Sequence, residues 1–222
     1  GANQHVHALG RLRQEHGRLA SGVCATHHGN LFGRAELRFH TGGGVVHAGA
    51  LEAHLGNRVD GIEIAISDER KQLLETGGGL VHALPMIDAD PFLAVNSDNL
   101  WIDGPVDSLR LLASNWDEAR MDALLQVVPL ARAYCHHGRG DFHMNAAGAL
   151  KRRKPNGVAP FVFTGVQILS KRLFEGDLPA GPFSTNLIWV QAITAGRCFG
   201  AVHQGLLFDI GLGHYGDRPL SR

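Results

Sequence analysis

The chain has no lysine before Lys71 and no proline before Pro85. Residues 1–59 also lack aspartate, tyrosine, tryptophan and methionine. No motif that needs a lysine or a proline can therefore lie in that first quarter. Cysteine is nearly as scarce. Cys24, Cys135 and Cys198 are odd in number and far apart, and no CxxC pair occurs. That excludes a disulfide framework and a thiolate zinc site, and it suits a reducing compartment. No apolar run approaches the roughly 20 residues of a membrane-spanning helix. The first residues also lack the hydrophobic block of a signal peptide, so the expected location is cytoplasmic, with no membrane partner. Neither charge sign is in excess: Lys+Arg and Asp+Glu each number 21. A global field for nucleic acid is thus absent, and an anionic ligand has to be held by a local arrangement.

What is present is ordinary globular composition, 44% hydrophobic and 19% charged over 222 residues. That length accommodates one large α/β domain or two small ones. Eight of the fourteen histidines fall before Arg58 (His5, His7, His16, His27, His28, His40, His47, His54). They show no ligand spacing with a partnering carboxylate, so a dedicated metal site there is not expected. Two Thr-Gly-Gly-Gly runs occur, at 41–44 and 76–79. Only the second has an acid before it, Glu75, and the first reads as a turn.

Short apolar segments alternate with helical spacing. Strands are expected at Ile62–Ser67, Pro91–Asp98, Met121–Leu130, Pro160–Ser170 and Gly205–Gly211. Helices are expected at Leu51–Arg58, Gly78–Leu84, Val106–Ser114 and Asn186–Ala195. "GDFHMNAAGALKRR" reads as a hairpin around Asn145–Gly148. Apolar strands separated by helices imply a mostly parallel sheet covered on both faces. Ligands of such sheets bind beyond the carboxyl ends of the strands.

Asp98 and Asp209 close two of those apolar strands, where a carboxylate is costly unless solvated, paired or bound to a cation. Two such acids meeting at one sheet edge form a hard-oxygen site suited to Mg²⁺. The bland alternative is that each caps a turn. In Glu75-Thr76-Gly77-Gly78-Gly79 the missing side chains let backbone N–H groups approach a base or a phosphate, although flexible loops use triple glycine equally. Arg139 and Asp141 in "HHGRGDFHM" suit phosphate and sugar hydroxyls, or a solvated ion pair in a tight turn. "LKRRKP" (Leu150–Pro155) reads as a solvated cationic face. Gly165, after Thr164 inside "FVFTGVQIL", marks a bulge or a close ligand.

Taken in order, "LLETGGGLVHALP", "PFLAVNSDNLW", "HHGRGDFHM", "APFVFTGVQIL" and "LLFDIG" resemble the sugar-1-phosphate nucleotidyltransferases. The nearest branch is that of bacterial N-acetylmuramate-1-phosphate uridylyltransferases and mannose-1-phosphate guanylyltransferase-like proteins. The resemblance runs over 51–211 and leaves 1–50 atypical within one domain of 1–222. It implies a single Rossmann-like α/β/α sandwich with a mixed, mostly parallel central sheet. The implied reaction joins a nucleoside triphosphate, UTP favoured, to a sugar 1-phosphate. Pyrophosphate leaves, and the nucleotide-sugar product serves cell-wall or polysaccharide synthesis. Carried onto this chain, Asp98 and Asp209 hold Mg²⁺, and Glu75, Thr76, Gly77, Gly78 and Gly79 lie against base and ribose. Asp141, Thr164, Gly165 and Asn186 line the sugar side, in a monomer or homodimer.

The family opens with a strand and a glycine-rich loop, Leu-Ala-Ala-Gly-x-Gly-Thr-Arg-Met, followed by Pro-Lys-Pro. Residues 1–50 carry neither; "ALGRLRQ" offers one glycine and two arginines, and the chain ends in "GLGHYGDRPLSR" in place of Gly-Thr-Pro and a helix. The alternative this leaves open is a relative that binds nucleotide-sugar without turnover, as a regulatory or interaction module.

Overall fold

The computed structural model describes residues 23–26, 37–40, 58–59, 62–96 and 99–209. In chain order the strands are β1 (Val23–Thr26), β2 (Leu37–His40), β3 (Arg58–Val59), β4 (Ile62–Ser67) and β5 (Phe92–Asn96). They continue as β6 (Asn99–Ile102), β7 (Ala123–Pro129), β8 (Ala133–Tyr134), β9 (Phe142–Met144) and β10 (Leu150–Arg152). The last are β11 (Phe161–Leu169), β12 (Cys198–Val202) and β13 (Leu206–Asp209). The helices are α1 (Glu75–Ala83), α2 (Ser108–Ser114) and α3 (Asn186–Thr194).

The central sheet runs β12-β7-β11-β5-β1-β2-β4, with β9 beside β11, β10 beyond β9, and β3 beside β4. β7 and β12 pair in parallel, as do β2 and β4, whereas β11 is antiparallel to both β5 and β7. β1 is likewise antiparallel to β2 and β5. β4, β2, β5, β7 and β12 therefore share one direction, and β1 and β11 are reversed among them. The sheet is α/β and mixed, as expected. Because the two reversed strands sit in its interior, most neighbouring pairs are antiparallel although most of these strands point one way.

Alternation along β7 builds the two sides of the core. Ala123, Leu125 and Val127 pack with Leu80 and Ala83 of α1 and Ile188 and Trp189 of α3. Leu124 and Val128 pack with Leu112 of α2 and with Trp101 and Leu207 of a second sheet. All five of these β7 residues are at most 1% exposed. Burial on both faces is why the run reads as continuously apolar. Each of the four Leu and Val side chains contributes about 1.5–3 kcal/mol of transfer free energy. The second sheet is β6-β13-β8. Trp101 and Leu207 face inward, while Leu100, Ile102 and Tyr134 are exposed and Tyr134 stacks on Phe208.

The expected strands and helices appear with shifted ends. α2 begins at Ser108, not Val106, because the Asp107 carboxylate caps it, accepting from Leu109 N and Arg110 N at 3.0 Å. The hairpin forms as read: Asn145 Oδ1 accepts from Ala147 N and Ala149 N, and Gly148 sits at φ 83°. Of the helix expected over 51–58, residues 51–57 lie outside the described residues and Arg58 belongs to β3. The first glycine run, Thr41–Gly44, also lies outside them. Among the described residues no helix is long and apolar enough to cross a membrane.

Candidate active site

β4 and β5 run the same way, so α1 between them must run back. Its first turn therefore stands at the edge where β5 ends. α3 leads down into the start of β12, and its first turn lies at the same edge, where Thr185 N donates to Thr76 Oγ1 at 3.0 Å. The carboxyl ends of β5 and β7, the reversed first half of β11, and the starts of α1 and α3 thus share one rim. That is where a sheet of this kind binds ligands.

Asp209 closes β13 and stands opposite Asn99 in the antiparallel register of β6. Asp98 and Ser97 lie outside the described residues; Asp98 is the chain neighbour of Asn99. Asp209 Oδ2 accepts a hydrogen bond from His136 Nδ1 at 2.8 Å. That bond is the main reason the His136 pKa is raised above its usual value, against a smaller opposing effect of burial. Among the described residues Asp209 Oδ1 has no hydrogen-bond or ion-pair partner. The Asp209 side chain is 29% exposed. A partly solvated carboxylate oxygen is a hard donor, and Mg²⁺ needs only one or two of these, taking its other ligands from water and phosphate. The donor chemistry therefore fits Mg²⁺. No group of three His, Cys, Asp or Glu able to enclose an ion occurs among the described residues.

β11 carries a bulge in front of this strand end. Its register against β7 shifts between Phe163 and Gln167, and Gly165 has φ 83°. A Cβ on Gly165 would overlap the Asn99 amide and stand 3.0 Å from Asn96 Cβ. Glycine is required both by backbone and by space, and the space is filled by Asn99. Thr164 is fully buried and its hydroxyl donates to Gln126 Oε1 at 2.9 Å. That bond anchors the bulge to β7.

The triple glycine lies inside α1, whose first residue is Glu75 at φ 57°, and not in a loop before it. The carboxylate of buried Glu69 accepts from Leu74 N at 3.0 Å and anchors the approach to the helix. Burial raises the Glu69 pKa above the usual carboxylate value. Gly77 N and Gly78 N both point at the Phe183 carbonyl, at 2.8 and 3.1 Å. A Cβ on Gly77 would meet the Phe183 ring at 2.5 Å. These glycines therefore admit the chain segment 181–185, and the N–H groups of Gly77 and Gly78 bond to protein. Glu75 is exposed and Thr76 partly so at the rim, and Gly79 is buried behind them.

Asp141 and Asn186 both lie near Arg152. Asp141 Oδ2 accepts from Phe163 N at 2.9 Å, joining β9 to β11 next to the bulge. Arg152 donates to Asn186 Oδ1 at 2.8 Å and lies over the rings of Phe142 and Trp189 at 5.2 and 6.0 Å. Burial lowers its pKa, and the nearby Asp141 charge opposes that shift. Arg153 donates to the carbonyls of Gly140 and Gly157. The run Leu150–Pro155 is thus not simply a solvated face: only Lys151, Lys154 and Pro155 are exposed. Arg139 is exposed and bonds the Asn156 carbonyl at 3.2 Å. His136 and Arg152 were not singled out from the sequence. The signal for His136 was its place before Gly138 and Arg139; for Arg152 it was an alternation that puts it on the Phe142 face of the hairpin.

No protein-family model matches the chain. Over 167 residues it is 35% identical to an N-acetylmuramate alpha-1-phosphate uridylyltransferase of Caulobacter vibrioides, covering 74% of this chain and 69% of that protein. It is 31% identical over 151 residues to the protein of the same name from Neisseria meningitidis serogroup B, covering 68% of this chain and 63% of that one. Among solved structures, a putative glucose-1-phosphate thymidylyltransferase from Bacillus anthracis in complex with a sucrose superimposes with TM-score 0.61 at 15% identity. That match covers 78% of this chain and 69% of the other, and it supports the fold. The chain belongs to the sugar-1-phosphate nucleotidyltransferases, enzymes that join a nucleoside triphosphate to a sugar 1-phosphate with release of pyrophosphate.

Proposed function

We propose that this chain transfers a uridylyl group from UTP to a sugar 1-phosphate, with N-acetylmuramate 1-phosphate as the acceptor to test first. The two relatives named above carry that name, which favours this base and this sugar. The observation that carries the reading is Asp209, on a strand end opposite Asn99 and with one carboxylate oxygen unpartnered among the described residues. Asp98, next to Asn99 in the chain, is assigned as the second acid. When bound, Mg²⁺ neutralises phosphate charge and aligns the triphosphate.

The attacking sugar phosphate is already an anion at neutral pH, so the chain needs no general base. It needs to orient two anions that repel each other. Glu75 and Thr76 are assigned to the base and ribose, with Gly77, Gly78 and Gly79 providing the close-packed floor beneath them. Asp141 and Asn186 are assigned to sugar hydroxyls. Gly165 and Thr164 act through the bulge, which keeps Asn99 beside the strand end. Pyrophosphate release with each nucleoside triphosphate and a panel of sugar 1-phosphates tests the proposal. The expected result is UTP-dependent turnover that Asp98→Asn lowers by about 10²–10³-fold, the scale of losing one main electrostatic group. No turnover with any pair, in folded protein, would refute it.

One feature favours a second reading. Residues 1–84 of the sequence carry no Pro-Lys-Pro. A relative that binds nucleotide-sugar without turning it over would give calorimetric binding of UDP-sugar and no pyrophosphate.

A further inference from the structure

We propose that His136 is a positioning residue whose imidazole fixes the Asp209 carboxylate for cation binding; this rests on the reading of Asp209 as a metal ligand. Three local features converge on this ring. β8 runs parallel to β13 with Tyr134 level with Phe208. The next residue, Cys135, has φ 61°, a left-handed conformation that non-glycine residues adopt rarely. It ends the ladder and brings His136 against Asp209, the next residue of β13. A carboxylate only accepts, so the proton between them is carried on Nδ1. Gly138 then folds back under the ring: a Cβ there would lie 2.5 Å from Nε2. The His136 side chain is 13% exposed, and its Nε2 is buried with no hydrogen-bond partner among the described residues. A ring packed this closely and bonded at one atom has little freedom.

With Oδ2 held by Nδ1, the orientation of Oδ1 is set. Outer-shell groups of this kind, which orient a ligating carboxylate, change metal affinity and activity without touching the ion. The bland role would be a staple between β8 and β13, which would affect stability alone. The two differ in what a volume-preserving change does.

The test uses the full chain with His136→Phe, His136→Asn and Asp209→Asn, Mn²⁺ titrated as an electron-paramagnetic probe, and thermal melts and pyrophosphate release in parallel. His136→Phe keeps most of the volume and removes the donor, whereas His136→Asn keeps a donor near the Nδ1 position. The expected result is about 10-fold weaker Mn²⁺ binding and a similar fall in kcat for His136→Phe, within the range known for outer-shell partners. KM for the sugar 1-phosphate stays unchanged, and His136→Asn recovers most of the Mn²⁺ affinity. His136→Phe binding Mn²⁺ like the wild type, or His136→Asn binding as weakly as His136→Phe, overturns the proposal. If Asp209→Asn still binds Mn²⁺ normally, the assignment of Asp209 itself fails. If only Asp209→Asn loses binding, that assignment stands and the role of His136 falls.

Discussion

Replacing Gly78 by alanine sets two effects of opposite sign against each other. In an isolated helix the change stabilises by about 1 kcal/mol, because glycine is a poor helix former. In this chain the new Cβ would fall well inside the 3.0 Å limit that real Cβ atoms keep, against the Gly181 carbonyl oxygen, and 3.2 Å from Leu74 Cβ. The first obstacle is backbone and cannot rotate away. Overpacking of this kind costs about 1–3 kcal/mol. If segment 181–183 retreats instead, the two hydrogen bonds to the Phe183 carbonyl lengthen, each worth about 0.5–1.5 kcal/mol. The two costs partly add, to about 2–5 kcal/mol, so the net expectation is destabilisation by about 1–4 kcal/mol after the propensity gain. For a chain of this size that lowers Tm by about 3–12 °C. Calorimetric or fluorescence melts of wild type and variant read it directly. Gly176→Ala is the control, since no atom lies within 4 Å of where its Cβ would be. A Gly78→Ala protein at least as stable as the wild type would show that helix propensity governs this site and that segment 181–183 is not docked on α1.

Further outcomes follow from the same geometry. Gly165→Ala combines a left-handed backbone with displacement of the Asn99 amide. Denaturant titration is expected to show a loss of about 1–3 kcal/mol, and kcat to fall with it because Asn99 adjoins Asp98. Burial holds the His203 pKa below its ordinary 6.5. The folded state therefore declines a proton that the unfolded chain accepts, and stability drops as pH falls below that ordinary value and levels off at the folded value. Urea midpoints at pH 7.5 and 5.5 should differ less in His203→Asn than in the wild type; an unchanged slope would count against this. Ser108→Ala removes the hydroxyl that joins His203 Nδ1 and the Asp103 carboxylate. It should cost about 1–3 kcal/mol by leaving buried polar atoms unpaired, measured in the same titration.

Much of the fold was legible because its signals are local. The run over β7 announces a strand covered on both faces, and Asn145 with Gly148 specifies the turn that forms. What escaped was decided by partners distant in the chain. Nothing near Gly77 says that the Phe183 carbonyl, more than 100 residues on, will take its N–H, so the helix was expected to begin later than Glu75. His136 and Asp209 are 73 residues apart, and only their meeting makes the histidine notable. Arg152 in a basic run looks solvated until Trp189 and Phe142 are seen beneath it. The direction of neighbours was also hidden, since an apolar run reads the same whichever way its strand points.

The site is divided between two sheets. Asp209 and Asn99 belong to the small sheet, whereas Gly165 belongs to the large one and Asp141 immediately precedes its strand β9, and the two sheets share one apolar cluster that includes Trp101, Leu207, Val128 and Val166. In the proposed site that greasy seam would act as a gauge block that sets the gap between the acids and the groups assigned to the sugar. Thinning it, as Leu207→Ala would, changes no residue at the rim, and on the proposed reading it would alter the spacing of the two sides. In this architecture the reach of the chemistry is calibrated by hydrocarbon.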